Sequence, residues 1–324
     1  MKTASPEKTE RDSFIPISPL TIVPSTIVGV SLYILEEKTG KYKLYRAADY
    51  PIEDVDLKRL PDKGIDRIYV NNRDKQRYQR YLQENITQVL TNESIKPGDR
   101  FQLLNNVMRG MLQDSFSKKN RQTTVKKTRQ MGNQIVDLIC RQDLSKQDLF
   151  SVLYHDYNTF THSANVSYYS VLLAKSLGIN DSKTLQQIAT GALLHDIGKL
   201  EIPNSILNCP GPLDEKAIAQ IKEHPKIGFL KLCDRKDVSF GELMVVYQHH
   251  ERKNGRGYPV GLVGNEIHEW ARICMIVDIF DALTSNRPYR DGMDLGVALS
   301  VIERQSDGLE EEFYKCWKAI ITKL

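Results

Sequence analysis

All seven histidines of this 324-residue chain lie beyond residue 154, and none falls in the first half. Five of them stand in short, distinctive contexts, at His162, His195, His224 and the adjacent pair His249 and His250. Successive contexts are about 25 to 35 residues apart, roughly the length of one helix with its connection in a helical bundle. The spacing therefore predicts that facing helices bring these imidazoles together inside a bundle.

Apolar periodicity indicates the same architecture. After residue 148, apolar residues recur at helical spacing in the segments 168–177, 185–194, 218–221, 243–247 and 273–283. Gly178 follows the first segment, and glycine is common just past the C-terminal end of a helix. We therefore expect residues 148–324 to form an all-α bundle.

Asp278 lies in an apolar run, residues 273–280. Burying a carboxylate there costs several kcal/mol unless it is paired or bound to a metal. A single histidine, or the dipeptide His195–Asp196 alone, is more often structural than a ligand. Recurrence of such residues on successive helical segments instead favours a metal centre. Imidazole and carboxylate ligands without thiolates suit iron, manganese, zinc or cobalt rather than calcium, and one carboxylate can bridge two ions.

Three cationic side chains near these candidate ligands fit a phosphate substrate. Lys199 follows His195 by about one helical turn. Arg287 and Arg290 follow Asp281, and the planar guanidinium of arginine suits bidentate phosphate recognition. A surface salt bridge is an equally good interpretation of the two arginines taken alone.

The first half of the chain predicts a smaller α/β domain. Residues 27–35 and 42–46 are β-rich runs around a turn-like segment, residues 38–41, and together they predict a hairpin. Residues 65–70 predict a further strand. A helix follows, and its apolar face is predicted to carry Tyr78, Tyr81, Leu82, Ile86 and Leu90.

These patterns divide the chain into four parts. Residues 1–12 are polar, and we expect a disordered tail. Residues 13–98 form the small α/β domain, which contains no chemical motif and is interpreted as sensory or regulatory. Residues 99–147 indicate a helical connector that could serve in dimerisation. Residues 148–324 form the catalytic domain, so the whole chain is of the α+β class.

Composition argues against several classes of protein. The five cysteines are scattered without a CxxC pair, so neither a disulfide framework nor a thiolate zinc site is expected. No run of about 18 apolar residues occurs, so we expect no membrane span, and no secretory signal is evident. A net charge of +4 does not demand a nucleic-acid polymer. We therefore expect a cytoplasmic protein.

Two ordered motifs resemble a known family. His195–Asp196 is followed by Lys199, and His249–His250–Glu251–Arg252 is followed by Gly257–Tyr258–Pro259. This series, with similarity over roughly residues 150–305, resembles the HD-GYP family of bacterial cyclic di-GMP phosphodiesterases. The resemblance implies an all-helical bundle that holds two or three metal ions, often iron.

The resemblance also implies a ligand set. One ion would be held by His162, His195, Asp196 and Asp278, and the second by His224, His249 and His250, with Asp196 as the bridge. Family members with a third metal carry a glutamate four residues before the first histidine, where this chain has Asn158. We therefore expect two divalent ions, with iron as the first candidate and manganese as the second.

Roles for the residues around the ligands follow from the same resemblance. Lys199 would contact the substrate phosphate or the attacking hydroxide, and Asp281 would help to position these groups. Arg287 and Arg290 match positions that contact the guanylate part of the substrate. Tyr258, in the Gly-Tyr-Pro loop, would contact the substrate at the edge of the site, and this loop is also linked to partner proteins.

The expected activity is hydrolysis of cyclic di-GMP to the linear dinucleotide pGpG, with GMP as a further product. Two alternatives stay open, a catalytically silent receptor for cyclic di-GMP and an HD phosphohydrolase that acts on another cyclic dinucleotide or a nucleotide monophosphate. Degenerate family members usually lose ligands, and all seven expected ligands are present here. Arg287, Arg290 and the Gly-Tyr-Pro loop argue against a monophosphate substrate.

Overall fold

A computed structural model describes the chain over residues 13–36, 39–115, 124–140, 147, 150, 153, 159–207, 209, 211–286 and 290–323. The chain forms two compact units, which divide between Val107 and Met108. The first unit combines an antiparallel sheet with helices, and the second is helical. This confirms the predicted α+β class with a helical C-terminal part.

Four strands form one antiparallel sheet in the described part of the first unit. Their bounds are β1 Phe14–Ile17, β2 Leu32–Glu36, β3 Lys41–Arg46 and β4 Ile68–Asn71. The strand order is β1-β4-β2-β3, and β2 pairs with β3 as the predicted hairpin. The hairpin strand begins later than the predicted residue 27, because Gly29 has a φ of 74° and interrupts the extended backbone.

The helices of this part of the chain are α1 Asp54–Asp62, α2 Lys75–Leu90 and α3 Pro97–Ser115, and α3 runs across the division between the units. The predicted face of α2 is confirmed, because Tyr78, Tyr81, Leu82, Ile86 and Leu90 are all buried. The sequence did not predict β1 or α1. Of the residues in α1 only Leu60 is buried, so this helix lacks the apolar stripe that would reveal it.

The second unit consists of helices around a common core. They are α4 Thr124–Cys140, α5 Thr159–Ser176, α6 Ser182–Leu194, α7 Asn204–Leu207, α8 Glu215–Lys222, α9 His224–Leu232, α10 Phe240–Gln248, α11 Glu269–Thr284, α12 Leu295–Glu303 and α13 Glu311–Ile321. The five predicted segments correspond to α5, α6, α8, α10 and α11. Helix α6 lies between α4, α5 and α10, and α5 also packs on α11. None of the described helices is long and apolar enough to cross a membrane.

Three aromatic side chains fix the position of α11. Phe280 packs edge-on against Tyr169 of α5 and Trp317 of α13, with ring centroids 5.7 and 5.1 Å apart. All three rings are buried, and buried aromatic rings contribute strongly to core stability. Because Asp278 and Asp281 lie on the same helix, this packing holds both carboxylates at a fixed height and rotation.

Close contacts at glycine join the helices where the candidate ligands lie. A Cβ atom on Gly198 would lie 1.9 Å from the carbonyl oxygen of His224, and one on Gly228 would lie 2.9 Å from Cγ1 of Val246. A side chain at Gly198 would therefore collide with the backbone. These approaches bring the turn after α6, the start of α9 and the end of α10 to one region.

Candidate metal centre

The seven side chains predicted as metal ligands meet in the second unit. They form two groups, one of Asp196, His224, His249 and His250 and the other of His162, His195 and Asp278. Within each group, one ligand atom from every residue lies within 4.8 Å of the others. All are buried except His250, whose side chain is 19% exposed. The sequence spacing thus translates into one compact cluster.

Five helices and one turn bring these side chains together. His162 lies in the first half of α5, and His195 follows the last residue of α6. Asp196 precedes a 3₁₀ turn at Ile197–Glu201. The remaining ligands come from the start of α9, the C-terminal end of α10 and the interior of α11.

The imidazoles of His224 and His249 face each other through their Nε2 atoms. Nδ1 of His224 lies 2.6 Å from the carbonyl oxygen of Ile221, and Nδ1 of His249 lies 3.1 Å from that of Val245. A carbonyl oxygen only accepts hydrogen bonds, so each neutral imidazole carries its proton on Nδ1. The two Nε2 atoms then each carry a lone pair, and they lie 3.2 Å apart. Such a pair repels unless a cation binds to both nitrogens.

His195 and His162 form a second facing pair. Nδ1 of His195 lies 2.6 Å from the carbonyl oxygen of Ala192, so in the neutral imidazole Nε2 carries the lone pair. This Nε2 atom lies 3.3 Å from Nε2 of His162. Nε2 of His162 also lies 3.0 Å from Oδ1 of Asp278. In the absence of a metal, a proton on His162 would bridge this contact, and a divalent cation would take its place.

Asp196 lies between the two pairs. Its Oδ2 atom is 3.4 Å from Nε2 of His195, and its Oδ1 atom is 3.2 Å from Nε2 of His224. Oδ1 is buried and has no hydrogen-bond donor in the described part of the chain, an arrangement that is costly unless a cation is bound. These residues therefore fit a divalent metal centre.

The protonation states of the cluster suit metal binding. Burial alone would raise the pKa of Asp196, but the ammonium of Lys199, which donates to this carboxylate, helps to hold that pKa well below its usual range. Burial likewise raises the pKa of Asp278, and the hydrogen bond from His162 outweighs it. For His249, burial lowers the pKa well below its ordinary value. Ionised carboxylates and neutral imidazoles are the forms that bind metals.

Lys199 lies at the open side of the cluster. Its ammonium donates to Oδ2 of Asp196 at 2.6 Å, and its side chain is 18% exposed. The cation therefore lies where an anionic group that reaches the cluster from solvent would meet it. This placement agrees with the predicted contact between Lys199 and a substrate phosphate, which stays a prediction.

Asp281 supports His162 from behind. Its Oδ2 atom accepts from Nδ1 of His162 at 2.7 Å, and its Oδ1 atom accepts from Nδ2 of Asn165 at 2.8 Å. Partners of this kind fix the orientation of an imidazole ligand and raise its basicity. Asn165 is absent from the sequence prediction. Its signal is a buried polar residue three positions after His162, on the same face of α5.

Tyr258 lies against the cluster, and Glu251 holds the loop that carries it. The Tyr258 ring stacks on His250 with centroids 4.7 Å apart and planes inclined by 28°. The fully buried carboxylate of Glu251 accepts from the backbone amides of Val260, Gly261 and Leu262 at 2.8 to 3.3 Å. Sequence reasoning placed Glu251 in a motif but gave it no role.

Arg290, one of the two predicted guanylate contacts, lies against the C-terminal end of α11. Nη2 of Arg290 donates to the carbonyl oxygens of Ala282 and Leu283 at 2.7 and 3.2 Å, and a cation at a helix C-terminus is favourable. Its contact with substrate stays a prediction. Arg287 and Asn158 lie outside the described residues, so the predictions that rest on them also stay open.

Comparison with known families identifies the family of this chain. A family model described as "HD domain" matches residues 141–309, more than half of the sequence. The chain belongs to the HD-domain family. The predicted resemblance to its cyclic di-GMP phosphodiesterase members is confirmed by relatives named for that activity.

Two relatives illustrate the similarity. The chain is 38% identical over 157 residues to the cyclic di-GMP phosphodiesterase response regulator RpfG of Xanthomonas campestris, a match that covers 48% of this chain and 41% of that protein. It is 39% identical over 148 residues to the 3′3′-cGAMP-specific phosphodiesterase 3 of Vibrio cholerae, with 45% and 31% covered. The matched region thus spans less than half of the length of each relative.

A solved structure shares the fold. Bd1817, an HDG"Y"P protein from Bdellovibrio bacteriovorus, superposes with a TM-score of 0.65 over 95% of this chain and 99% of that one. Sequence identity between the two is 22%. This similarity supports the α+β architecture, and the chemistry depends on the side chains described above.

Proposed function

We propose that this chain hydrolyses cyclic di-GMP at a binuclear divalent metal centre. The observation that carries the proposal is two pairs of opposed imidazoles, whose Nε2 atoms lie 3.2 and 3.3 Å apart, with Asp196 between the pairs. Relatives at 38% and 35% identity are named cyclic di-GMP phosphodiesterases. Ligands, bridging carboxylate and family therefore agree on one chemistry.

The two ions are proposed to occupy neighbouring positions. His162, His195 and Asp278 would hold one ion, while His224, His249 and His250 would hold the other, with Asp196 shared. When bound, two divalent cations supply a hydroxide nucleophile near neutral pH and neutralise charge on a phosphodiester. Iron is the first candidate and manganese the second, since both accept mixed imidazole and carboxylate ligands.

The protein's own side chains orient and neutralise the substrate. Lys199 would pair with a non-bridging phosphate oxygen, because its ammonium is partly exposed beside Asp196. Asp281 would keep Nε2 of His162 available as a ligand, because its carboxylate accepts a hydrogen bond from Nδ1 and so keeps the proton on that nitrogen. Tyr258, stacked on His250, would border the pocket for the substrate. Arg287 and Arg290 are proposed to contact the guanylate.

The proposed product is pGpG, with GMP after a second cut. A second candidate substrate is 3′3′-cGAMP, because the Vibrio cholerae relatives named for that dinucleotide match this chain at 36 to 39% identity. The two substrates differ in one purine base. Comparison of kcat/KM for both dinucleotides on the same metal-loaded sample will decide between them.

The test of the proposal is turnover with metal counted in the same sample. The chain is purified without oxygen in the presence of iron or manganese, and products of cyclic di-GMP are separated by chromatography. Two ions per chain with pGpG or GMP appearing support the enzyme. Tight binding without product over hours, with both ions present, would instead identify a cyclic di-GMP receptor.

The rest of the chain is proposed to regulate this centre. We assign a sensory role to residues 13–98 and dimerisation to the connector at 99–147. Sedimentation of the full chain and of a chain without the connector will test the dimerisation. The Gly-Tyr-Pro loop exposes Val260 and Val263 and is the proposed surface for a protein partner. All five cysteines are free thiols, which suits the proposed cytoplasmic location.

A further inference from the structure

Lys222 places a positive charge next to the Tyr258 ring. It is the last residue of α8, two positions before the candidate ligand His224. Its Nζ atom lies 5.5 Å from the centroid of the Tyr258 ring, within the range of a cation–π contact. Tyr258 in turn stacks on His250. One aromatic ring therefore separates the ammonium from the metal cluster.

The backbone around Lys222 is tied to the cluster. The carbonyl oxygen of Ile221 lies 2.6 Å from Nδ1 of His224, and the amide of Glu223 donates to the carbonyl of Gln220 at 3.2 Å. The same hydrogen bond that fixes the imidazole of His224 thus fixes the backbone beside Lys222. These hydrogen bonds hold its backbone next to His224, while its exposed side chain can reach towards a ligand.

Lys222 also differs from its neighbours in its charge environment. Lys226 pairs with Glu223 at 3.8 Å, and Lys199 pairs with Asp196 at 2.6 Å. Within the residues that the structure describes, no carboxylate forms an ion pair with Lys222. The cation is therefore available to an anion from solution, at the edge of a site proposed to bind phosphate.

We propose that Lys222 binds the second, non-scissile phosphate of the cyclic dinucleotide and so favours a cyclic substrate. The inference rests on the proposed function. A cyclic dinucleotide carries two phosphodiesters on one small ring. With one of them at the metal cluster beside Lys199, the other would lie across that ring, and the proposal places it near the Tyr258 loop. A dinucleotide with a single phosphate has no group for Lys222.

The test compares two ligands on metal-loaded full-length protein by rapid-mixing binding measurements, which give the Kd of cyclic di-GMP before it is hydrolysed. Cyclic di-GMP has two phosphates, whereas the linear dinucleoside monophosphate GpG has one. Lys222→Met removes the charge and keeps most of the stem. It should raise the Kd for cyclic di-GMP about tenfold, the size of one charge-assisted hydrogen bond, and leave the Kd for GpG within about twofold. Lys222→Arg should retain binding.

Lys226→Met is the matched control, because it removes an exposed lysine that is also two residues from His224 in sequence, and it should change neither Kd. An unchanged Kd for cyclic di-GMP in Lys222→Met contradicts the inference. Equal losses for both ligands also contradict it, since they would mean that Lys222 acts only through Tyr258. Failure of the proposed function is a separate result, namely binding of cyclic di-GMP by the wild-type protein without turnover.

Discussion

Replacement of Asp281 by asparagine should weaken metal binding without disturbing the fold. Two donors converge on this carboxylate, Nδ1 of His162 at 2.7 Å and Nδ2 of Asn165 at 2.8 Å. Asparagine offers one acceptor oxygen and an NH₂ group, so one of the two donors loses its acceptor. If His162 loses it, the tautomer with a proton on Nε2 is favoured, and that nitrogen is no longer a ligand.

The magnitude follows from the lost contact. A buried donor without an acceptor costs about 1–3 kcal/mol. Since 1.4 kcal/mol is a factor of ten, metal affinity should fall about 10- to 100-fold, as for other partners of metal-bound histidines. Competition with a chelator of known affinity measures this change, and circular dichroism reports the fold.

Asp294→Asn is the matched control. Asp294 caps α12 by accepting from the amide of Gly296 at 2.8 Å, and asparagine caps helices equally well. This variant should bind metal as the wild type does. Wild-type metal affinity in Asp281→Asn would refute the assignment of Asp281 as the partner that orients His162.

Three further predictions concern the surroundings of the site. Glu251→Gln places an NH₂ group against the amides of residues 260–262 and should destabilise the protein by about 1–3 kcal/mol; an unchanged denaturation midpoint would contradict this role. Gly198→Ala forces a Cβ atom onto the carbonyl of His224 and should lower both the melting temperature and the metal content, whereas Gly211→Ala, with open space around it, should not. Burial lowers the pKa of His268, whose Nδ1 accepts from the amide of Trp270, so the unfolded state takes up a proton first and stability falls as pH drops below about 6.5. His268→Asn keeps a cap and should reduce this loss in melting curves between pH 7 and pH 5; an identical pH dependence would exclude His268 as its source.

The clustering of the seven candidate ligands could be predicted from the sequence because its signal is local. Each histidine lies in a short motif, and Asp278 stands out as a carboxylate in an apolar helical run. Apolar periodicity places these motifs on helices, and helices of a bundle face one another. The structure then brings all seven side chains into one cluster.

Supporting contacts could not be read in this way, because they depend on residues far apart in sequence. Asn165 meets Asp281 across 116 residues of chain, and Lys222 meets Tyr258 through packing of a helix end against a loop. Arg290 shows that the type of a residue alone does not predict its contacts. A guanidinium after Asp281 suggests a phosphate contact, yet in this structure it binds the last carbonyls of α11.

The binuclear centre is the central claim, and Asp196→Ala tests it most directly. Asp196 is the carboxylate shared between the two groups of imidazoles. Wild-type protein and variant are purified separately under the same oxygen-free conditions. Metal content and cyclic di-GMP turnover are then measured on each. We predict two ions per chain and product from the wild type, with loss of both in the variant. Full metal content and full turnover in Asp196→Ala would contradict the account.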